Sequence, residues 1–117
     1  MPALTARENR SGHSAAPGTG AMIVHILAAL ASEHRLRIVE LLRTGECCVC
    51  EITPKFDLDP SVVSRHLAVL ERAGIISSRR QGRWIHYRLA DRRVLKLLAV
   101  LEGTVTKGTR FGRRHAC

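Results

Sequence analysis

Residues 59–74 read Asp-Pro-Ser-Val-Val-Ser-Arg-His-Leu-Ala-Val-Leu-Glu-Arg-Ala-Gly. This is a helix with its punctuation in place. Asp59 stands where an N-cap belongs, and Pro60 occupies the first helical position, where a missing N–H is no loss. Val63, Leu67 and Leu70 recur at helical spacing and form the inward stripe. Ser61, Ser64, Arg65 and His66 are left available outward, and Ala73-Gly74 ends the helix. Such a helix suits the DNA major groove. The serines let the backbone approach phosphates and base edges, while Arg65 and His66 reach further.

Downstream, residues 75–80 and 83–89 are strand-like, with Gln81-Gly82 as a tight turn between them. Arg79, Arg80 and Arg83 crowd this hairpin and are suited to phosphates or the adjacent minor groove. Asp91 then opens a final helix running through Leu101, with Val94, Leu95, Leu98 and Leu101 on one face. Upstream, residues 21–30 form a short apolar helix. Ser32 caps the next one, and Leu36, Ile38, Val39, Leu41 and Leu42 give it a broad apolar face before Thr44-Gly45 ends it. Residues 47–56 predict another short helix, its regularity limited by Pro54.

Helix, turn, helix and hairpin in that order predict a mainly α fold with a β-hairpin wing, the winged helix-turn-helix arrangement. Residues 21–103 make up the DNA-binding and dimerisation domain. Residues 1–20 read as a disordered arm and residues 104–117 as a basic flexible tail. The first and last helices carry more apolar surface than one such module can bury. Met22, Ile23, Ile26 and Leu27 pair naturally with Val94, Leu98 and Leu101, so a homodimer is expected, with its two recognition helices about 34 Å apart.

The bulk numbers agree. A chain of 117 residues is one small domain, or a half-domain completed by a partner. Lys and Arg number 19 against 10 Asp and Glu, a net charge of +9 that favours a polyanionic partner. Aromatics make up 3%, so the core is aliphatic. The first twenty residues lack an apolar stretch. The longest apolar run, residues 21–31, is interrupted by His25 and falls short of the roughly 20 residues that span a bilayer. The reading is a cytoplasmic protein with no membrane partner. No phosphate loop or nucleophile–base pair is apparent, so an enzyme is not expected.

Cys47, Cys48 and Cys50 lie just upstream of the expected DNA-reading helix, and Cys117 is the last residue given. Three crowded thiols in a reducing compartment read as metal or redox chemistry rather than a disulfide framework. Thiolate is the ligand of choice for soft ions, and a trivalent arsenical has three positions for sulfur. On a regular helix, residues two apart point to nearly opposite sides, so Cys48 and Cys50 could not share one ion there, whereas Cys47 and Cys50 could. Gathering all three would distort the helix and re-aim Ser64 and Arg65. His13, His25, His34, His86 and His115 show no ligand spacing and read as structural or incidental.

Residues 46–89, ECCVCEITPKFDLDPSVVSRHLAVLERAGIISSRRQGRWIHYRL, closely resemble the ArsR/SmtB family of metal-responsive repressors. The arsenic-responsive branch carries the motif ELCVCDL, an SRHL recognition helix and a Gly-(Lys/Arg)-Trp-(Val/Ile)-His-Tyr-Arg-Leu wing. The resemblance extends upstream through Ala29 to Ile38, similar to the family's LADPTRLRIL. It implies a homodimer that binds a pseudo-palindromic operator and releases it on binding As(III) or Sb(III) as inducer, with no organic cofactor. Cys48 and Cys50 match the first two cysteines of the branch's C-x-C-x-x-C pattern, but Thr53 stands at the third. The third sulfur is then Cys47 or Cys117. The zinc-sensing branch places ligands on the last helix, which here begins Asp91-Arg92-Arg93 and has no histidine. Rival readings keep the fold and change the signal: Cd(II), Pb(II), Hg(II), an organoarsenical held by two sulfurs, or oxidation of the thiols to a disulfide. A further rival is a constitutive DNA-binding protein with inert cysteines.

Overall fold

The computed structural model describes residues 18–104. The arm and tail expected at the ends, with Cys117, fall almost wholly outside that range. Helix α1 spans Thr19–Leu30, two residues longer at its start than expected, and α2 spans Glu33–Leu41. Ser32 is extended and its hydroxyl accepts the Arg35 N–H at 3.3 Å, which caps α2 as the sequence suggests. Arg35 also reaches back. Its Nε donates to the carbonyl of Ala29 at 2.6 Å and so satisfies the open end of α1. A tight turn, Leu42–Thr44, closes α2, and Gly45 at φ 143° releases the chain into a backbone that a side chain would strain.

The next stretch departs from expectation. Residues 47–56 do not form one helix. Cys47–Cys48 is a short strand, β1, followed by a single turn α3 (Val49–Ile52) and a 3₁₀ turn over Thr53–Lys55. The cause is the hairpin downstream. Strands β2 (Ile76–Gln81) and β3 (Trp84–Leu89) pair antiparallel, and β1 adds to the free edge of β3, giving the order β1-β3-β2. Cys47 pairs with Tyr87 and Cys48 with His86. The edge backbone groups of β3 thus find partners, which outweighs any local preference for helix. The tip also differs by one residue. Gln81 pairs with Trp84, so Gly82 and Arg83 are the two loop residues, with Gly82 at φ 66°. Two-residue hairpin loops need positive φ at their first central position.

Helix α4 (Pro60–Arg72) buries Val63, Leu67 and Leu70, as the spacing predicts. They meet Ile38, Val39 and Leu41 from α2, Leu42 from the turn that follows it, Ile52 from α3, Ile75 just before the wing, and Ile76 and Leu89 within it. This aliphatic core sets the angle between the outer flank of α4 and the wing. Each fully buried aliphatic side chain contributes roughly 1.5–3 kcal/mol. Gly74, at φ 79°, turns the chain from α4 into β2. The last helix, α5 (Arg93–Gly103), starts two residues later than expected. Asp91 instead accepts the Arg93 N–H at 2.9 Å and pairs with its guanidinium, and these contacts pull the carboxyl down to about 2.

Helices α1 and α5 keep large apolar side chains in solvent. Met22, Ile23, Val24 and Leu27 are about half exposed or more on α1, as are Val100 and Leu101 on α5. No helix among the described residues is long and apolar enough to cross a membrane.

Candidate nucleic-acid interface and thiol site

Ser61, Ser64 and Arg65 are exposed along one flank of α4. Pro60 starts the helix, and the Asp59 carbonyl accepts from Val62 and Val63 N–H at 2.9 and 3.2 Å. The Asp59 side chain makes no cap bond, so it caps through its backbone alone. That leaves the first turn carrying small hydroxyls and a cation, the chemistry needed for phosphates and guanine edges.

His66 sits differently from the outward placement read in the sequence. It is half-buried, its Nδ1 lies 3.0 Å from Arg35 Nη1, and its ring faces that of His34 at 5.4 Å. A guanidinium only donates, so Nδ1 accepts and the ring is neutral with its proton on Nε2. Burial first, then the charges of Arg35, His34 and Arg65, hold its pKa below the ordinary histidine value.

On the wing, Arg83 stands at the loop and stacks over the Trp84 ring at 5.5 Å, both exposed. Arg79 is exposed too, but its guanidinium is engaged. Nε and Nη2 donate to the two carboxylate oxygens of Glu46 at 2.7 and 2.8 Å. The hydrogen bond from Arg79 is the main reason the Glu46 carboxyl lies below its usual range, and the same bond raises Arg79. One residue earlier, Ser78 donates to Glu71 of α4 at 2.7 Å.

The thiols are ordered by β1 and α3. Cys48 is extended (φ −78°, ψ 149°) and is the residue before α3. Its sulfur accepts the Cys50 N–H at 3.2 Å, while Glu51 accepts the Cys48 N–H at 2.8 Å, so sulfur here does the work of a capping hydroxyl. The sulfurs of Cys48 and Cys50 are joined as a disulfide, with Cα atoms 5.1 Å apart. The premise that these two could not converge therefore falls, because it assumed a regular helix over both. An extended Cys48 and a helical Cys50 bring their side chains together without unwinding anything.

Cys47 lies on the other face of β1, as strand alternation requires, and is buried in the core. Its sulfur points toward the Leu41 carbonyl at 3.6 Å. Cys50 is exposed. Among the described residues, no three His, Cys, Asp or Glu side chains gather as a metal-holding set. A guest at this site has two sulfurs already converged, one of them open to solvent.

The core, the wing and the polar flank of α4 define a winged helix-turn-helix DNA-binding domain. Residues 32–78 match the family described as bacterial regulatory protein, arsR family. The chain is 42% identical over 81 residues to the arsenic resistance transcriptional regulator ArsR1 of Pseudomonas putida, covering 68% of this chain and 63% of that one. It is 40% identical over 72 residues to the arsenical resistance operon repressor of Bacillus subtilis, covering 61% and 69%. Among solved structures, the homodimeric winged helix-turn-helix DNA-binding domain Mb0332 of Mycobacterium bovis matches with a TM-score of 0.65 at 30% identity, covering 72% and 78%. The chain belongs to the ArsR family. It spans less than two thirds of the Pseudomonas relative's length.

Proposed function

We propose that this chain is a homodimeric transcriptional repressor that holds a pseudo-palindromic operator and releases it when trivalent arsenic or antimony binds its thiols. The observation that carries the reading is the convergence of Cys48, on a strand that pairs with the wing, and Cys50, in the turn of helix that follows it. Once reduced, the pair would offer two adjacent soft donors to a thiophilic ion, and Cys48 belongs to the same sheet as the hairpin expected to touch DNA. Two arsenical-resistance relatives support the choice of metalloid. Of the two candidates for a third sulfur, Cys47 is turned into the core on the other face of β1, which leaves Cys117. The exposed apolar faces of α1 and α5 support a two-fold interface, as does the dimeric mycobacterial neighbour.

In the DNA-bound form, Ser61, Ser64 and Arg65 enter the major groove and Arg83 contacts the backbone beside it. His66, held against Arg35 and His34 of α2, ties the recognition helix to its neighbour rather than reaching a base. Arg79 reaches phosphate only by giving up Glu46. Cys48 and Cys50, as reduced thiols, would hold the metalloid, which would supply bonds to sulfur in place of its bonds to hydroxide, each thiol proton leaving with the displaced hydroxide as water. Release requires tighter binding to the DNA-free form, because coupling between two ligands is a difference in affinity.

The test is a titration of the protein on a labelled duplex selected from random sequence for tight binding. Arsenite and antimonite should release it at lower concentration than Cd(II), Pb(II) or Hg(II). Release by Cd(II) with indifference to arsenite would reassign the signal. A second reading, a thiol redox switch, draws on the same sulfur–sulfur contact. It requires release by peroxide, reversed by a dithiol reductant, without any arsenite response.

Arg83→Ala should weaken operator binding several-fold and lower the slope of log affinity against log salt by about 1, since one phosphate contact is lost. An unchanged slope removes Arg83 from the phosphate contacts.

A further inference from the structure

The wing sheet links the thiols to both DNA-reading elements by a route that the helix-distortion picture does not contain. Cys48 pairs with His86 across β1 and β3, and His86 pairs with Arg79 across β3 and β2. Residues aligned across neighbouring strands share a face, so Cys48, His86 and Arg79 form one row. Glu46, two residues before Cys48, spans that row and takes the Arg79 guanidinium in a fork at 2.7 and 2.8 Å. The adjacent residue of β2, Ser78, bonds Glu71 in the last turn of the recognition helix at 2.7 Å. Two neighbouring positions of β2 are thus fastened by carboxylates, one from the thiol segment and one from α4.

We infer that the Glu46–Arg79 fork is the coupling latch of the sensor: it transmits occupancy of Cys48 and Cys50 to the wing and to the end of the recognition helix. The inference deepens the proposed function and rests on it. A guest held by Cys48 and Cys50 must draw β1 and α3 to its own bond lengths and angles. Glu46 is joined to Cys48 by two residues of backbone, so its carboxylate moves with that strand. A bidentate fork resists both sliding and rotation, unlike a single contact, so Arg79 follows or the pair breaks. Either way the β2 position beside Ser78 is re-aimed. Both side chains are substantially solvent-exposed, so the fork adds little to folding stability. Its role is directional, and Glu46 and Arg79 act here as positioning residues that touch neither DNA bases nor the guest.

The experiment compares full-length wild type with Glu46→Gln, Arg79→Gln and the double variant. Three quantities are read: arsenite affinity by thiolate–arsenic absorbance, operator Kd without arsenite, and operator Kd with saturating arsenite. Gln matches Glu46 in size and is shorter than Arg79, and at either position it removes the charge-paired fork. The ratio of the two operator constants is the coupling. Any general gain or loss of affinity from the altered charge cancels in it.

The expected result is arsenite affinity within twofold of wild type in every variant, with the coupling ratio reduced at least fivefold in each single variant. The double variant should be no worse than either single one, because all three remove the same contact. Emission from Trp84, the one tryptophan of the sequence, gives a second readout at the wing tip: its response to arsenite should shrink in the variants. A Glu46→Gln protein that binds arsenite and keeps the wild-type ratio within twofold overturns the latch while leaving the sensor reading intact. A wild-type protein that grips operator equally with and without arsenite overturns the sensor reading, and the latch with it.

Discussion

Serine at both Cys48 and Cys50 should abolish arsenite-driven release and leave operator binding within about threefold of wild type. Couplings of this kind are typically 5–150-fold, and the double variant should bring the ratio of operator constants with and without arsenite to about 1. The reasoning is local. The two sulfurs meet, and serine oxygens are hard donors with no thiolate form to offer a soft ion. The fold should survive, because the Cys48 sulfur serves as a cap accepting the Cys50 N–H, a task that a serine hydroxyl performs well. Each single serine variant should lose most of the response too, since it breaks up the converged pair. Gel-shift titration reads the outcome directly. Full release from the double variant would show that the ion binds elsewhere.

The largest effect on stability is expected from Leu67→Ala. Leu67 has no solvent-exposed surface and lies on the inward stripe of α4, facing α2 and the wing. Truncation there removes the transfer free energy of the lost atoms and leaves a cavity, together about 2–5 kcal/mol. Small domains have roughly 5–15 kcal/mol in all, so this one change should lower the urea midpoint sharply. The comparison must be made at fixed protein concentration if the folded form is a dimer. Ser64→Ala, on the opposite flank of the same helix, should leave the midpoint almost unmoved. A Leu67→Ala protein as stable as wild type would mean that α4 does not pack through this stripe.

The recognition helix was legible because several local signals agreed over it. Cap position, proline at the first turn, the Val63-Leu67-Leu70 stripe and the Ala73-Gly74 stop all point to one element, and the structure has it at Pro60–Arg72. The hairpin was legible for the same reason, with a one-residue error at its tip. That error came from reading Gln81-Gly82 as the loop when cross-strand register places Gly82 and Arg83 there.

The thiol segment was misread because its structure is imposed from a distance. Two residues of strand carry no alternation to detect, and what makes them a strand is the open edge of β3 nearly forty residues away. The outward reading of His66 failed on a similar ground. Helical spacing tells which residues leave the main stripe, but not that Arg35 and His34 of a neighbouring helix wait beside one of them. The Glu46–Arg79 fork, between residues 33 positions apart, left no mark in the sequence beyond the charges themselves.

The two-residue length of β1 constrains how this segment can be rebuilt. Because neighbouring strand positions face opposite ways, deleting or adding one residue between Gly45 and Cys48 would exchange the roles of Cys47 and Cys48. The core would receive the thiol that now meets Cys50, the core thiol would turn toward Cys50 in its place, and the pairing with His86 would lapse. Retuning the protein toward another ion must therefore proceed by substitution at fixed length, whereas segments grafted from longer or shorter homologous loops would arrive with their donors turned the wrong way.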